Sequence, residues 1–264
     1  MSGPPTDAAL VALATDAARA AGDLLAERFG GPARGVESKS SRTDLVSDAD
    51  RDAEALILDM IAAGRPGDAI VAEEGGGADG VGDAALRWVI DPLDGTTNFL
   101  WGIPHWSVSI AVSDAEGPRV GVVHDPTRGE TFTAVRGAGA DLGGRPLWLD
   151  DAPALAEALV GTGFNYRADE RARQGARAAA VLPAVRDIRR FGSAALDLAW
   201  LAAGRMDAYY ESGLNEWDWA AGRLLVTEAG GTVGELPSGA DGGLPCVVAA
   251  RAPLYAPLLA LLGS

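Results

Sequence analysis

The residues best suited to chemistry lie where a short apolar run ends in two aspartates. Residues 88–90 are apolar and predict a buried strand. The run is followed by Asp91-Pro92-Leu93-Asp94-Gly95-Thr96-Thr97-Asn98-Phe99. We expect Pro92 to fix its own φ and stop the strand, and Gly95 to allow a conformation or a close approach that a Cβ would block. Asp91 and Asp94 would then point into one small volume, where two like charges are unfavourable unless a cation lies between them. Hard oxygen ligands favour Mg²⁺ or Mn²⁺.

The same stretch has three other interpretations. An Asp-Gly pair near a proline is common in turns, and the residues alone leave this interpretation open. A calcium-binding EF-hand loop is excluded because its alternating acids and closing glutamate are missing. An aspartyl-phosphate phosphatase of the haloacid dehalogenase type is also excluded, since Pro92 occupies the place of the nucleophile in Asp-x-Asp-Gly-Thr.

Further acids lie at the ends of predicted elements. Ser47 and Asp50 have the spacing of a capping box, with aspartate in place of the usual glutamate, and predict the start of a helix. Other acids of this kind are Glu73 and Glu74 after a strand at residues 69–72, Glu211 at the end of a strand at residues 207–211, and Asp218 at the start of a helix. Caps and solvated charges account for many such acids, so each alone is a weak signal.

The remaining elements follow from the spacing of apolar residues. A first helix is predicted at residues 7–29 with Thr6 as its cap, and the helix after Ser47 should bury Ala53, Leu56, Ile57, Met60 and Ile61. Further strands are predicted at residues 106–112, 119–123, 130–135, 158–163, 232–235 and 246–250, and further helices at residues 169–182, 193–203, 216–229 and 253–262.

The composition limits the classes of function. The chain has 264 residues and a formal net charge of −15, which argues against general binding to nucleic acids or anionic membranes. Cys246 is the only cysteine, so no intrachain disulfide can form. His105 and His124 are the only histidines, and we interpret both as structural. The sequence shows no charged-then-apolar leader and no apolar run of bilayer length, and we expect a cytoplasmic protein.

Together, the acidic motifs resemble those of the inositol monophosphatase family of metal-dependent, lithium-sensitive phosphatases. The resemblance is carried by residues 39–50, 73–74, 91–99, 192–195 and 217–222, in the order and at the spacing typical of the family. It implies a layered α/β/α/β/α sandwich of the inositol monophosphatase and fructose-1,6-bisphosphatase type. In that fold, residues 1–150 would form an α+β half with most metal ligands, and residues 151–264 an α/β half.

The resemblance also implies a set of metal ligands. One Mg²⁺ would be held by Glu73, Asp91 and the backbone carbonyl of Leu93, and a second by Asp91, Asp94 and Asp218. A third, weaker ion would lie near Glu73, and Mn²⁺ is an alternative metal. Metal coordination makes water acidic enough to attack at neutral pH, and no covalent enzyme intermediate is needed.

Catalytic and substrate-binding groups follow from the same resemblance. Thr96, polarised by Asp50 and near Glu73, would orient the attacking water, and Lys39 would approach the outer metal site. The expected substrate contacts are Asp94, Gly95, Thr96, Gly192, Ser193, Ala194, Glu211 and Asp218. Among them, the N–H groups of Gly95 and Thr96 would hold phosphate oxygens, and Glu211 would contact sugar hydroxyls.

The expected substrate is myo-inositol monophosphate or a similar small polyol or sugar phosphate. Histidinol phosphate, fructose 1,6-bisphosphate and adenosine 3′,5′-bisphosphate remain alternatives on the same fold. A regulatory protein that keeps the fold and binds another protein is the non-enzymatic alternative. The resemblance further implies a homodimer, and we expect neither a nucleic acid nor a membrane as a partner.

Overall fold

The computed structural model describes residues 5–32, 34–39, 45–75, 77, 80, 86–238 and 243–263. Asp44, which belongs to the motif at residues 39–50, and most of the glycine-rich stretch at residues 75–84 lie outside this part of the chain. Within the described residues, the α-helices are α1 (Asp7–Arg28), α2 (Asp48–Gly64), α3 (Thr96–Leu100), α4 (Ala168–Val181), α5 (Ala194–Ala202), α6 (Glu216–Glu228) and α7 (Ala252–Leu262).

The strands fall into three sheets within the same residues. The strands are β1 (Glu37–Ser38), β2 (Leu45–Val46), β3 (Ala69–Ala72), β4 (Arg87–Asp94), β5 (Ser107–Asp114), β6 (Gly117–Asp125), β7 (Glu130–Val135), β8 (Gly139–Leu142), β9 (Arg145–Pro146), β10 (Leu159–Thr162), β11 (Asp187–Arg189), β12 (Ala208–Ser212), β13 (Gly231–Leu236) and β14 (Cys246–Arg251). One sheet has the order β3-β4-β5-β6-β7-β8-β9, a second has the order β11-β10-β12-β14-β13, and β1 pairs with β2. In the seven-stranded sheet only β3 and β4 are parallel, whereas in the five-stranded sheet β10 is parallel to both β11 and β12.

Buried apolar residues join these elements into layers. One cluster packs α1 and α2 against one face of the seven-stranded sheet. A second cluster fills the space between the two sheets, where α5 and α6 lie. A third packs α7 against the outer face of the five-stranded sheet. The resulting α/β/α/β/α order confirms the predicted fold class, and it places the start of α5 and the start of α6 beside β4.

The sequence predicted most elements to within a few residues. Thr6 caps α1, and Ser47 with Asp50 forms the predicted capping box of α2. Leu56 and Met60 are half-buried rather than buried. The strands β8 and β9 were not predicted, because they are short and pair only as a hairpin extension of β7.

The prediction that Pro92 stops its strand is wrong. β4 continues through Pro92 to Asp94, with a shift of register against β5 between Asp91 and Asp94. A proline lacks the N–H that a regular ladder needs, and an irregularity of this kind is where a strand can accept it. Consequently, Asp91 and Asp94 are held by a strand on both sides of the irregularity rather than by a free turn.

Two other features bear on the sequence predictions. Cys246 is buried with a free thiol. Among the helices that the structure describes, none is both long and apolar enough to cross a membrane.

Candidate active site

Asp91 lies in β4, opposite Ser109 of β5, and only 2% of its surface is exposed. Its Oδ1 accepts a hydrogen bond from the backbone N–H of Leu93 at 3.0 Å, which folds the chain around the irregularity in β4. Burial raises the pKa of Asp91 well above its ordinary value, and the charges of Glu73, Asp94 and Asp218 raise it further. A fully ionised Asp91 is therefore costly here unless a positive charge compensates it.

Asp94 ends β4 and is oriented by the start of α5. Its Oδ2 accepts hydrogen bonds from the hydroxyl of Ser193 at 2.6 Å and from the N–H of Ala195 at 2.7 Å, and its Oδ1 accepts one from the N–H of Ala194 at 3.2 Å. Burial raises the pKa of Asp94, and these three donors oppose that rise. The structure thus brings together Asp94, Ser193 and Ala194, which were predicted from motifs almost a hundred residues apart.

Thr96 and Asp50 form the hydrogen bond that the sequence resemblance implied. The hydroxyl of Thr96 lies 2.9 Å from Oδ1 of Asp50 and 3.1 Å from the backbone carbonyl of Leu93. The other oxygen of Asp50 accepts hydrogen bonds from the N–H and the hydroxyl of Ser47 at 2.9 and 2.6 Å. Asp50 is fully buried, so the α2 cap fixes the carboxylate that in turn orients Thr96.

Glu73 follows β3, with its N–H bonded to the carbonyl of Ile90 on the neighbouring strand at 3.2 Å. The Lys39 ammonium lies 2.8 Å from Oε1 of Glu73 and 2.5 Å from Oε1 of Glu74. Burial alone would lower the pKa of Lys39, but its bonds to the two glutamates and their charges outweigh this and raise it. Burial raises the pKa of Glu74 to about 7, against the opposing bond from Lys39. The predicted approach of Lys39 to this edge of the site is therefore present.

Asp218 is the third residue of α6 and closes a capping box with Asn215. Its Oδ2 accepts a hydrogen bond from the N–H of Asn215 at 2.6 Å. Burial raises the pKa of Asp218 well above its ordinary value, and the charges of Asp94 and Glu73 add to the rise. Asp218 thus takes part in the cap of α6, although Asn215 rather than Asp218 occupies the N-cap position, and its charge also interacts with those of Asp94 and Glu73.

The donors of this cluster fit a hard divalent cation by their chemistry. Glu73, Asp91, Asp94 and Asp218 offer only carboxylate oxygens, and the raised pKa values of the three aspartates show that positive charge would be favourable beside them. Charges act over longer distances than coordination bonds. Among the described residues, no three acidic, histidine or cysteine side chains are gathered closely enough to form a finished coordination sphere. Instead, Lys39 provides the positive charge next to Glu73.

Gly95 links the acidic strand to α3 in a way that only glycine allows. Its φ is +100°, and an added Cβ would lie 3.1 Å from the carbonyl oxygen of His105 and 3.2 Å from that of Gly192. Both features confirm the predicted need for a glycine. Gly192 has a φ of +95° and lies against Asn98, so the two glycines allow the turn after β4 to contact the segment that leads into α5.

Glu211 lies in β12, half-buried, and accepts a hydrogen bond from the hydroxyl of Tyr209. Burial raises the pKa of Glu211 to about 7, opposed by the bond from Tyr209. An added Cβ at Gly163 would lie only 1.9 Å from Oε2 of Glu211, so this glycine leaves the space that the carboxylate occupies. The charge of Glu211 also raises the pKa of Asp218, so the two carboxylates interact electrostatically.

Some residues of the site were not found from the sequence. Glu54 is buried on α2 and accepts a hydrogen bond from the N–H of Glu74 at 2.8 Å. A signal was present, because Glu54 lies on the same helix face as Asp50 and Ile57, where a charge is unusual. No comparable signal marked Asn98 or Asp197, whose partners are distant in sequence.

The profile of the inositol monophosphatase family matches residues 7–260. The chain belongs to this family. Membership accounts for the convergence of the acidic motifs, and it supports phosphatase activity on a phosphorylated substrate at the level of the family.

Individual relatives cover most of the chain. The Nus factor SuhB of Escherichia coli strain K12 is 45% identical over 228 residues, which are 86% of this chain and 85% of the relative. An inositol-1-monophosphatase of Mycobacterium leprae is 45% identical over 265 residues, covering 95% of this chain and 90% of the relative. The crystal structure of the extragenic suppressor protein suhB from Bartonella henselae superposes with a TM-score of 0.87 at 36% identity, covering 97% of this chain and 98% of that one.

Proposed function

We propose that this chain is a Mg²⁺-dependent phosphomonoesterase that hydrolyses myo-inositol monophosphate or a similar small polyol phosphate. The observation that carries the proposal is the position of Thr96. Its hydroxyl is fixed by Asp50 immediately beside the acidic strand that bears Asp91 and Asp94. The inositol-1-monophosphatase of M. leprae, at 45% identity, supports the choice of substrate class.

Glu73, Asp91, the carbonyl of Leu93, Asp94 and Asp218 would hold the divalent cations. Bound Mg²⁺ supplies the positive charge that makes water nucleophilic and stabilises the leaving oxygen.

Thr96 orients the attacking water in this proposal. Its hydroxyl hydrogen points to Asp50, so its oxygen lone pair accepts a hydrogen bond from water. Asp50 cannot turn away, since Ser47 donates two hydrogen bonds to its other oxygen. The water so oriented would attack phosphorus as the bond between phosphorus and the ester oxygen breaks; the hydroxyl of the water goes to phosphorus, and its proton ends on the released polyol oxygen.

The substrate lies between the two halves of the chain. The N–H groups of Gly95 and Thr96 hold phosphate oxygens at the turn that follows β4, where preorganised donors favour the developing charge. Glu211 accepts hydrogen bonds from polyol hydroxyls on the opposite side. Gly192, Ser193 and Ala194 complete the wall next to Asp94.

Phosphate release from a panel of substrates tests the proposal. The panel contains D- and L-inositol 1-phosphate, histidinol phosphate, fructose 1,6-bisphosphate and adenosine 3′,5′-bisphosphate, each assayed with Mg²⁺, with EDTA and with added Li⁺. We expect Mg²⁺-dependent, Li⁺-inhibited release that is fastest with an inositol phosphate. Preference for another compound would replace the substrate. Absence of release from every compound, in protein shown by calorimetry to bind Mg²⁺, would contradict the proposed activity.

The name of the E. coli relative favours a second candidate, a role as a Nus factor. Because the acidic motifs are intact, this role would accompany the phosphatase activity rather than replace it. The two are separated by expressing wild-type and Asp91→Asn chains in an E. coli strain that lacks its own SuhB. Restoration of growth by both chains would support a role independent of hydrolysis, and restoration by the wild type alone would tie the phenotype to the acidic site.

A further inference from the structure

We propose that His105 and Asp197, joined through Asn98 to the phosphate-side turn, are positioning residues that set the orientation of Asp94. The inference rests on the proposed function, in which Asp94 is a metal ligand. Among the described residues, the side chains of His105 and Asp197 hydrogen-bond to each other and to none of the residues proposed to hold metal or substrate, so both act through another residue.

The orientation of Asp94 depends entirely on where α5 begins. All three donors to its carboxylate belong to residues 193–195, at the first turn of α5. Asp94 itself ends a strand of the seven-stranded sheet, whereas α5 packs between the two sheets. A shift of α5 relative to β4 would therefore rotate or release the Asp94 carboxylate.

Asp197 lies one turn into α5 and is almost completely buried, with 1% of its surface exposed. In the described part of the chain, its side chain makes one hydrogen bond, between Oδ1 and Nε2 of His105 at 3.3 Å. A buried carboxyl group without a partner is costly, so this bond holds α5 against the segment that precedes β5.

The ring of His105 is held by aromatic residues from both ends of the α5 segment. It stacks on Phe191, with centroids 5.0 Å apart and an interplanar angle of 28°, and it meets Trp200 edge-on at 5.0 Å. Phe191 directly precedes the glycine that leads into Ser193, and Trp200 is the seventh residue of α5. The imidazole is thus enclosed by the element whose position decides the orientation of Asp94.

Asn98 closes the same arrangement from the side of the phosphate turn. Its Nδ2 donates to the carbonyl oxygens of His105 and Phe191, each at 2.7 Å. These are the two residues whose rings stack on each other. Asn98 lies in α3, two residues after Thr96. Its side-chain amide therefore connects the helix that carries the Thr96 hydroxyl to the segment that leads into α5, whose first residues bind Asp94.

The charge state of the pair suits this role. Burial raises the pKa of Asp197 well above its ordinary value, and the charge of Asp94 adds to the rise. Burial, together with the charge of Arg128, lowers the pKa of His105 to about 4. His105 is therefore uncharged at neutral pH, and its hydrogen bond to Asp197 fixes α5 without a charged imidazole.

Three substitutions and one control test the proposal. His105→Phe keeps an aromatic ring against Phe191 and Trp200 but removes the hydrogen bond, Asp197→Leu removes the bond from the other side, and Asp197→Asn preserves it. Leu201→Ala is the matched control, because Leu201 is a fully buried residue of the same helix whose side chain is apolar. The readouts are the Mg²⁺ dissociation constant by calorimetry and the hydrogen exchange of the Ala194 and Ala195 amides.

We expect His105→Phe and Asp197→Leu to weaken Mg²⁺ binding about tenfold, the low end of the range for outer partners of metal ligands. The two amides should exchange faster in both variants. Asp197→Asn should stay within about twofold of wild type, since the amide keeps a hydrogen-bonding group at the position of the carboxyl group. Leu201→Ala should lower the unfolding temperature while Mg²⁺ affinity and amide exchange stay unchanged.

Unchanged Mg²⁺ affinity and amide protection in His105→Phe and Asp197→Leu would overturn the proposal. It would also be overturned if Leu201→Ala produced the same losses, since the effect would then be general destabilisation. Both readouts are independent of turnover. If the wild-type chain binds Mg²⁺ but releases no phosphate, the proposed activity is refuted. The Mg²⁺ affinities and amide exchange rates of the variants still test the positioning role in that case.

Discussion

Replacement of Asp91 by asparagine should have opposite effects on the activity and the stability of the metal-free protein. Asp91 is buried beside other acids whose charges raise its pKa. A carboxyl group with a raised pKa in the folded state contributes stability at low pH, and that contribution is lost as the pH rises above the ordinary aspartate value of 3.8 through the higher folded value. At pH 8, therefore, the neutral amide should stabilise the metal-free chain.

The size of the effect follows from the repulsion between the Asp91 carboxylate and the neighbouring acids, which an uncharged amide does not experience. Two unit charges about 8 Å apart repel by about 2 kcal/mol at an effective dielectric constant of about 20. For a chain of this size, relief of that repulsion raises the unfolding midpoint by about 4 to 8 °C. Activity should fall by at least about a hundredfold, since an electrostatic group acting on the transition state is lost.

Asp125→Asn provides the matched control. Asp125 is also fully buried, but its carboxylate accepts hydrogen bonds from Thr127 and from the Arg128 guanidinium at 2.7 Å. Asp125→Asn removes a charge-assisted hydrogen bond that contributes about 1.5 to 3 kcal/mol to the free energy of unfolding. It should therefore lower the unfolding midpoint by about 3 to 12 °C.

Differential scanning calorimetry in EDTA at pH 5 and pH 8, with phosphate release in Mg²⁺, measures both effects. The midpoint of the wild-type chain should fall between pH 5 and pH 8, and the fall should be smaller in Asp91→Asn. The reasoning is refuted if Asp91→Asn loses as much stability at pH 8 as Asp125→Asn, or if it retains wild-type turnover.

Three further predictions concern the water and the substrate. Thr96→Val should lower kcat by about 10² to 10³ with little change in Mg²⁺ affinity, whereas Thr96→Ser should retain most activity; steady-state kinetics and calorimetry distinguish these outcomes. Because the pKa of Glu211 is about 7, the KM for a polyol phosphate should fall as the pH rises from about 6 to 8, and Glu211→Gln should remove that dependence. Gly163→Ala should displace the Glu211 carboxylate and raise KM about tenfold, a loss of about 1.4 kcal/mol, with kcat and unfolding temperature nearly unchanged.

The elements that carry the acids could be predicted because their signals are local. An apolar run that ends in a carboxylate, or a cap three residues before another polar residue, is visible within about ten residues of sequence, and β3 and α2 were found in this way. Pro92 shows the limit of such signals. Its effect depends on whether the neighbouring strand needs an N–H at that position, and only the register against β5 decides this.

The orientation of the acids could not be predicted, since it depends on contacts between distant segments. Asp94 is held by Ser193, 99 residues away, and Asp197 meets His105 across 92 residues. In the sequence, Asp197 is one acid near the start of a helix, and a cap or a solvated charge explains it equally well. Its burial against a histidine ring becomes apparent only when α5 is packed between the sheets.

The two kinds of acid also differ in what a substitution tests. An acid whose pKa is raised by burial and by other acids, such as Asp91, should tolerate neutralisation in the metal-free protein, whereas an acid held by a charged donor, such as Asp125, should not.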